Sequence, residues 1–233
     1  RWVPWLPIDH EPCPPMVREV LAAAAFMPIV YSRFGERMLQ AEGIKCLYVP
    51  HGVDTQVMAP MDRAEARRKM KLPEDRFIVG AVMANKGAPS RKAFDQQIRA
   101  FARFRERHSD ALLYLHTAMN PGDGENLYRL LDAAGLPQEA FAIVNQYEYS
   151  RGFITEAALA TLYSSFDVLT NATRGEGFGI PIVEAQACGT PVIVTDFSAM
   201  PELCFAGWTV DYSDRLWYQE AHQVIPSVDS LVG

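Results

Sequence analysis

Residues 174–196 read RGEGFGIPIVEAQACGTPVIVTD. Three glycines, Gly175, Gly177 and Gly179, alternate with larger residues and lead into a helix-like run over 180–188. Glycine lets backbone N–H groups approach a ligand with no Cβ in the way. Pro181 suits the first turn of a helix, where its missing N–H costs nothing. Gly189 follows as a stop signal, and Pro-Val-Ile-Val-Thr over 191–195 is an apolar strand. Loop, helix and strand in that order make one unit of an α/β fold, and the free N–H groups at the start of its helix attract an anion.

The same alternation extends outward in both directions. Pattern and punctuation predict helices over 16–25, 33–42, 63–71, 92–107, 125–134 and 155–164, and strands over 28–31, 45–49, 77–82, 111–116, 141–144 and 167–170. The helix over 92–107 sets Phe94, Ile98, Phe101, Ala102 and Arg105 at helical spacing, so one side is largely apolar. Near-continuous apolar strands between helices imply a parallel sheet covered on both faces. The expected fold is therefore α/β, a doubly wound, Rossmann-like sheet that binds ligands at the carboxyl ends of its strands. Residues 51–61, with Gly52 and Pro60, read as a linker. The expected division is 1–52 as the end of a partial Rossmann-like unit, 53–61 as the linker and 62–233 as a nearly complete second domain. Two βα units are too few for a Rossmann domain of about 100–150 residues, and the chain opens on Arg1-Trp2-Val3-Pro4 without a Met. A fragment of a longer protein is the expectation.

Composition narrows the function. Hydrophobic residues at 49% and charged residues at 21% describe an ordinary globular protein. A formal net charge of -6 argues against the clustered basic footprint that nucleic-acid binding needs. No apolar run approaches the roughly 20 residues of a membrane span. Cys13, Cys46, Cys188 and Cys204 are widely spaced, with no Cys-x-x-Cys pair, which points away from a zinc site or a disulfide framework and towards a cytoplasmic setting.

Two carboxylates frame the glycine loop, Glu176 within it and Glu184 inside the helix that follows. A carboxylate is badly placed against a diphosphate but well placed against a vicinal diol, because its two oxygens accept hydrogen bonds. A ligand with a diphosphate in the middle and a diol at each end satisfies both requirements. A nucleotide sugar is such a ligand.

Glu176-x7-Glu184, set in EGFGIPIVEAQACGTPVIVTD, resembles the signature of family-4 glycosyltransferases, retaining enzymes of the two-domain GT-B fold. Val49-Pro50-His51-Gly52-Val53-Asp54 is similar to the segment where that family crosses between domains, and Ala199-Met200-Pro201-Glu202 is similar to its Pro-Glu segment. The resemblance implies that Glu184 binds the ribose hydroxyls and Glu176 the donor-sugar hydroxyls. The amides of Gly177, Phe178 and Gly179 would face sugar and phosphates, and Thr173 would reach a phosphate. Lys92 matches the family lysine on the diphosphate. The family arginine five residues earlier is Gly87 here, which leaves Arg91, Lys86 and Asn85 as alternatives. The base is expected near Val144-Asn145-Gln146-Tyr147, with backbone groups at Gln146 reading its edge and Tyr147 stacking on it. His116, at another strand end, reads as structural, with lining the cleft as the alternative. The resemblance implies no metal cofactor, a UDP- or GDP-sugar donor, and a glycan, lipid or small-molecule acceptor.

The alternatives are a non-catalytic nucleotide-sugar-binding module and a GT-B epimerase or phosphorylase-like enzyme. A Rossmann dehydrogenase would need Gly-x-Gly-x-x-Gly after the strand over 77–82, and that loop has none.

Overall fold

A computed structural model describes residues 2–24 and 26–233. Arg1 and Ala25, which belong to the reading of the chain's opening and of the first helix, lie outside the described residues. The N-terminal part runs β1 (Trp5–Leu6), α1 (Pro15–Ala24), β2 (Ile29–Val30), α2 (Arg33–Ala41) and β3 (Leu47–Tyr48), its strands forming a small parallel sheet in the order β1-β2-β3. After α3 (Arg63–Met70) come β4 (Ile78–Val82), α4 (Phe94–Arg107), β5 (Leu112–His116), α5 (Leu127–Ala133), β6 (Phe141–Ile143), α6 (Gln146–Arg151) and α7 (Glu156–Ser164). The chain continues through β7 (Val168–Asn171), α8 (Ile180–Ala187), β8 (Val192–Thr195) and β9 (Gly207–Val210), then a hairpin of β10 (Tyr212–Tyr218) and β11 (Ala221–Pro226), and α9 (Val228–Val232). No helix among the described residues is long and apolar enough to cross a membrane.

Six strands form one sheet in the order β6-β5-β4-β7-β8-β9, parallel at every pairing. Period-2 alternation divides its side chains. Leu113 and Leu115 of β5 join Phe94, Ile98 and Phe101 of α4 and Leu127 and Leu131 of α5 in one buried cluster. Leu112 and Tyr114 join Leu162 and Tyr163 of α7 and Ile182 and Ala185 of α8 in another. Both faces are covered by helices, which is the doubly wound arrangement expected from the strands. The second cluster also takes in Ile8, Leu21, Val30, Phe34 and Leu39, so the core is continuous from the small sheet into the large one.

Glu202 contributes to that continuity. Its carboxylate accepts from the backbone N–H of Arg33 at 2.9 Å and of Phe34 at 3.2 Å, while Ser32 accepts from Gly35 at 3.1 Å. The Pro-Glu segment thus caps the start of α2, where free N–H groups favour an anion.

Strands β1 and β9 have no counterpart in the sequence reading, and three further features depart from it. The helix expected from residue 92 starts at Phe94, behind a left-handed Ala93 at φ 53°, so Arg91 and Lys92 lie in the turn before it rather than in its first turn. Residues 146–151 form α6, capped by Asn145, whose side chain accepts from the N–H groups of Tyr147 and Glu148, and closed by Gly152. The hairpin of β10 and β11 was not foreseen. It turns through Gln219 and Glu220, both at positive φ, and places a bridge between Glu11 and His222 beside a hydrogen bond from Val224 N–H to the Arg174 carbonyl. The hairpin therefore straps the N-terminal segment to the start of the glycine loop.

Candidate active site

The strand order reverses at β4, which pairs β5 on one side and β7 on the other. Loops leaving neighbouring strands in opposite directions open a crevice at such a point. Here the loops after β4 and β7 meet directly, with Arg174 N–H on the Arg91 carbonyl at 2.9 Å.

Glu176 lies in the loop after β7, at this reversal point, and is 5% exposed. Its Oε2 accepts from Arg91 Nη1 at 2.9 Å and its Oε1 from Lys92 Nζ at 2.5 Å. Arg91 also donates to the Gly175 carbonyl. The Glu176 backbone N–H is held by Ser198 Oγ at 2.8 Å. Burial alone would raise the pKa of Glu176, but Lys92 and Arg91 beside it hold the carboxyl below its usual value. This arrangement relieves the electrostatic conflict of two adjacent cations just ahead of a helix, which is unfavourable against the helix dipole.

The glycines of the loop have reasons of their own. A Cβ on Gly175 would lie 2.4 Å from the Asp9 carbonyl oxygen, and one on Gly177 would lie 2.1 Å from Pro7 Cβ. Both therefore admit the N-terminal segment against the loop. Gly179 is the N-cap of α8 at φ 111°, a conformation that L side chains rarely adopt. Among the described residues, the amides of Gly177, Phe178 and Gly179 donate to no protein group. Phe178 is buried with its ring edge-on to His51, whose ring also meets Trp5 and Tyr31 at centroid distances of 4.5 and 4.3 Å.

The N-terminal segment brings two residues that the sequence reading passed over. Asp9 approaches Arg91 Nε at 3.5 Å, and its Oδ1 pairs with His10 Nδ1 at 2.7 Å. Burial would raise the Asp9 pKa, yet the His10 hydrogen bond and the Arg91 charge hold it down. His10 is buried, and its Nε2 has no protein partner. An unbroken polar chain thus runs His10, Asp9, Arg91, Glu176, Lys92.

Glu184 sits partly buried on α8, and its Oε2 accepts from the hydroxyl of Tyr163 at 2.7 Å. Burial raises its pKa, the Tyr163 hydrogen bond works against that, and the nearby Glu156 adds to it. Thr173 is fully buried, with its hydroxyl on Met200 Sδ at 3.3 Å and the Gly175 carbonyl at 3.4 Å. A phosphate contact from it would require that hydroxyl to turn outward.

The remaining sites expected from the sequence separate into two groups. Asn85 and Gln146 are structural ties in this conformation. The Asn85 amide spans the Ala118 and Glu125 carbonyls and the Glu125 N–H, and the Gln146 amide spans the Thr117 and Val144 carbonyls and the Met119 N–H. Lys86 and Tyr147 are exposed, with the Arg151 guanidinium 5.5 Å from the Tyr147 ring centroid. Gly87, where the family arginine would stand, is at φ 78° and donates to the Asp123 carbonyl at 2.6 Å. An arginine at that φ would be strained, whereas Arg91 already reaches the crevice. Among the described residues no three His, Cys, Asp or Glu side chains converge to hold a metal ion.

A six-stranded parallel sheet covered by helices on both faces, with the loops after β4 and β7 meeting at its reversal point, defines an α/β domain of GT-B type. The family description "Glycosyl transferases group 1" matches residues 78–216, and the chain belongs to that family. It is 32% identical over 163 residues to a D-inositol 3-phosphate glycosyltransferase of Actinosynnema mirum, and 29% identical over 163 residues to one of Stackebrandtia nassauensis. Those matches cover 69% and 67% of this chain but 38% and 34% of the relatives, so the chain spans little more than a third of their length. Among solved structures, a sucrose-phosphate synthase from Thermosynechococcus elongatus superposes with a TM-score of 0.71 at 25% identity, covering 93% of this chain and 49% of that one. Anabaena HepE, solved in complex with UDP and glucose, superposes with a TM-score of 0.67 at 17% identity, covering 88% of this chain and 54% of that one.

Proposed function

We propose that this chain is the donor-binding part of a retaining glycosyltransferase of family 4 that moves a sugar from a UDP- or GDP-sugar to an acceptor hydroxyl. One observation carries the reading: the buried Glu176 clamped between Lys92 and Arg91, followed in the same loop by amides that have no protein partner among the described residues. Two cations and the N-terminus of α8 belong to this one loop cluster, and a diphosphate is the ligand chemistry that both would stabilise. Glu184, eight residues along, is spaced for a ribose diol. The UDP and glucose bound by HepE support a ligand of this kind.

In this reading the departing nucleoside diphosphate is stabilised by Lys92, Arg91 and the amides of Gly177, Phe178 and Gly179. Arg91 takes the part that Gly87 cannot. The acceptor hydroxyl attacks on the face from which the diphosphate leaves, and a phosphate oxygen takes its proton. Glu176 orients the sugar through its hydroxyls. The base lies towards Gln146 and Tyr147. The N-terminal segment through residue 52 belongs to the acceptor side, and its Asp9 fixes Arg91 from across the crevice. The acceptor is a glycan, a lipid or a small molecule; the phosphorylated inositol in the relatives' names is one such molecule. Four free thiols agree with a reducing, cytoplasmic setting.

A thermal-shift panel of UDP, GDP, ADP and their sugars, run in chelator, tests this. UDP or GDP should raise the melting temperature, and Lys92→Ala should remove most of that rise. Silence across the panel would refute the reading.

A further inference from the structure

Tyr163 is among the largest side chains that are fully withdrawn from solvent. It projects from α7 across to α8, and its hydroxyl donates to Glu184 Oε2 at 2.7 Å. Its own carbonyl is held by Thr190 Oγ1 at 2.7 Å, which fixes this end of α7 against the loop that closes α8. A buried phenol needs an acceptor for its hydroxyl. Packing among Leu162, Phe166 and Ala185 would serve as well with a phenylalanine there. The chain instead places a hydroxyl whose partner is a partly exposed carboxylate. Among the described residues Glu184 has no other side-chain partner.

We propose that Tyr163 is a positioning residue for nucleotide binding: its hydroxyl anchors Glu184 Oε2 so that the carboxylate is preset to accept from the two hydroxyls of a ribose. A carboxylate on a helix surface otherwise samples several rotamers, and binding must then freeze it. Each carboxylate oxygen has two acceptor sites, so Oε2 keeps one for the ligand while Oε1 is open. The inference rests on the reading of Glu184 as the ribose carboxylate, and it adds the residue that sets its geometry.

The test compares UDP and GDP with their 2′-deoxy forms by titration calorimetry. The wild-type chain should prefer the ribonucleotide by about tenfold, the loss expected for one hydrogen bond to a charged group. Tyr163→Phe should shrink that preference to about twofold while leaving the affinity for inorganic pyrophosphate unchanged, an outcome that general loosening of the core would not produce. Glu184→Gln should remove the preference almost entirely. If Glu184→Gln keeps it, or no nucleotide binds, the ribose reading falls and the inference falls with it. If Glu184→Gln removes it and Tyr163→Phe does not, Tyr163 is only a core residue. Should Tyr163→Phe fail to fold, 3-fluorotyrosine incorporation keeps the hydroxyl and reports directly. Its ¹⁹F resonance at Tyr163 should move on adding UDP and move less with 2′-deoxy-UDP; equal or absent shifts would overturn the proposal.

Discussion

Replacing Glu176 by Gln removes the charge that holds two cations together while keeping the side chain's shape. Glu176 is 5% exposed and accepts from Arg91 at 2.9 Å and from Lys92 at 2.5 Å. Leaving a buried charge unpaired costs about 3–5 kcal/mol. The amide oxygen of Gln still accepts one of the two hydrogen bonds, and Asp9 still faces Arg91, so roughly 2–3 kcal/mol is expected. At about 2–4 °C per kcal/mol for a chain of this size, the unliganded protein should melt roughly 4–12 °C lower. Nucleoside diphosphate then has more to offer the variant than the wild type, because Lys92 stands without a counter-ion and Arg91 keeps only Asp9. UDP or GDP at about 100 times its Kd should restore about 2.7 kcal/mol, with affinity equal to or tighter than wild type, while kcat falls because the sugar loses its orienting acid. Differential scanning fluorimetry, calorimetry and a sugar-transfer assay measure the three quantities. An unchanged melting temperature would refute the clamp, and a collapse of diphosphate affinity with kcat preserved would refute the assignment of Glu176 to the sugar.

Three further outcomes follow from the geometry. Gly177→Ala forces a Cβ to within 2.1 Å of Pro7 Cβ, so it should destabilise the chain by about 1–3 kcal/mol in urea titrations and weaken donor binding in parallel. Asp167 pairs with the buried Arg67 at 2.6 Å and accepts from Ile78 N–H at 2.6 Å, so Asp167→Ala should lose about 3–5 kcal/mol with ligand affinity per folded molecule unchanged. Burial holds His116 down at about 4, so the unfolded chain protonates first and stability falls as pH drops from 6.5 towards 4. The loss between pH 7 and pH 5 should be about 2 kcal/mol, and His116→Leu should flatten that stretch of the pH profile.

The large sheet was legible because its strands are short apolar runs between helices of clear period, and the lengths left little choice of topology. The glycine loop stands out for a different reason: two acids and three glycines fall within one short run, Gly175 to Glu184. What the sequence concealed is contact between distant segments. Nothing local in Pro7, Asp9 or His10 says that they fold onto residues 175–177, and the resulting closeness explains two glycines that chemistry alone had claimed for a ligand. Tyr163 carries no local signal of its own, because only its hydroxyl's direction separates it from a phenylalanine. The hairpin of β10 and β11 escaped because Gln219 and Glu220 occupy the positive-φ turn positions where Asn and Gly are usual. The helix α6 has a readable cap in Asn145 and a readable stop in Gly152, but its six residues include no buried one and so carry no apolar period.

The central claim is a nucleoside diphosphate seated across the crevice between the loops after β4 and β7. A crystal structure of the chain with UDP or GDP tests it most directly. The account predicts density for the diphosphate within hydrogen-bonding distance of Lys92 Nζ and the amides of Phe178 and Gly179, with the ribose hydroxyls on Glu184. A nucleotide bound elsewhere, or a diphosphate in the crevice with Lys92 and Arg91 both still closed on Glu176 and touching no phosphate, would contradict it.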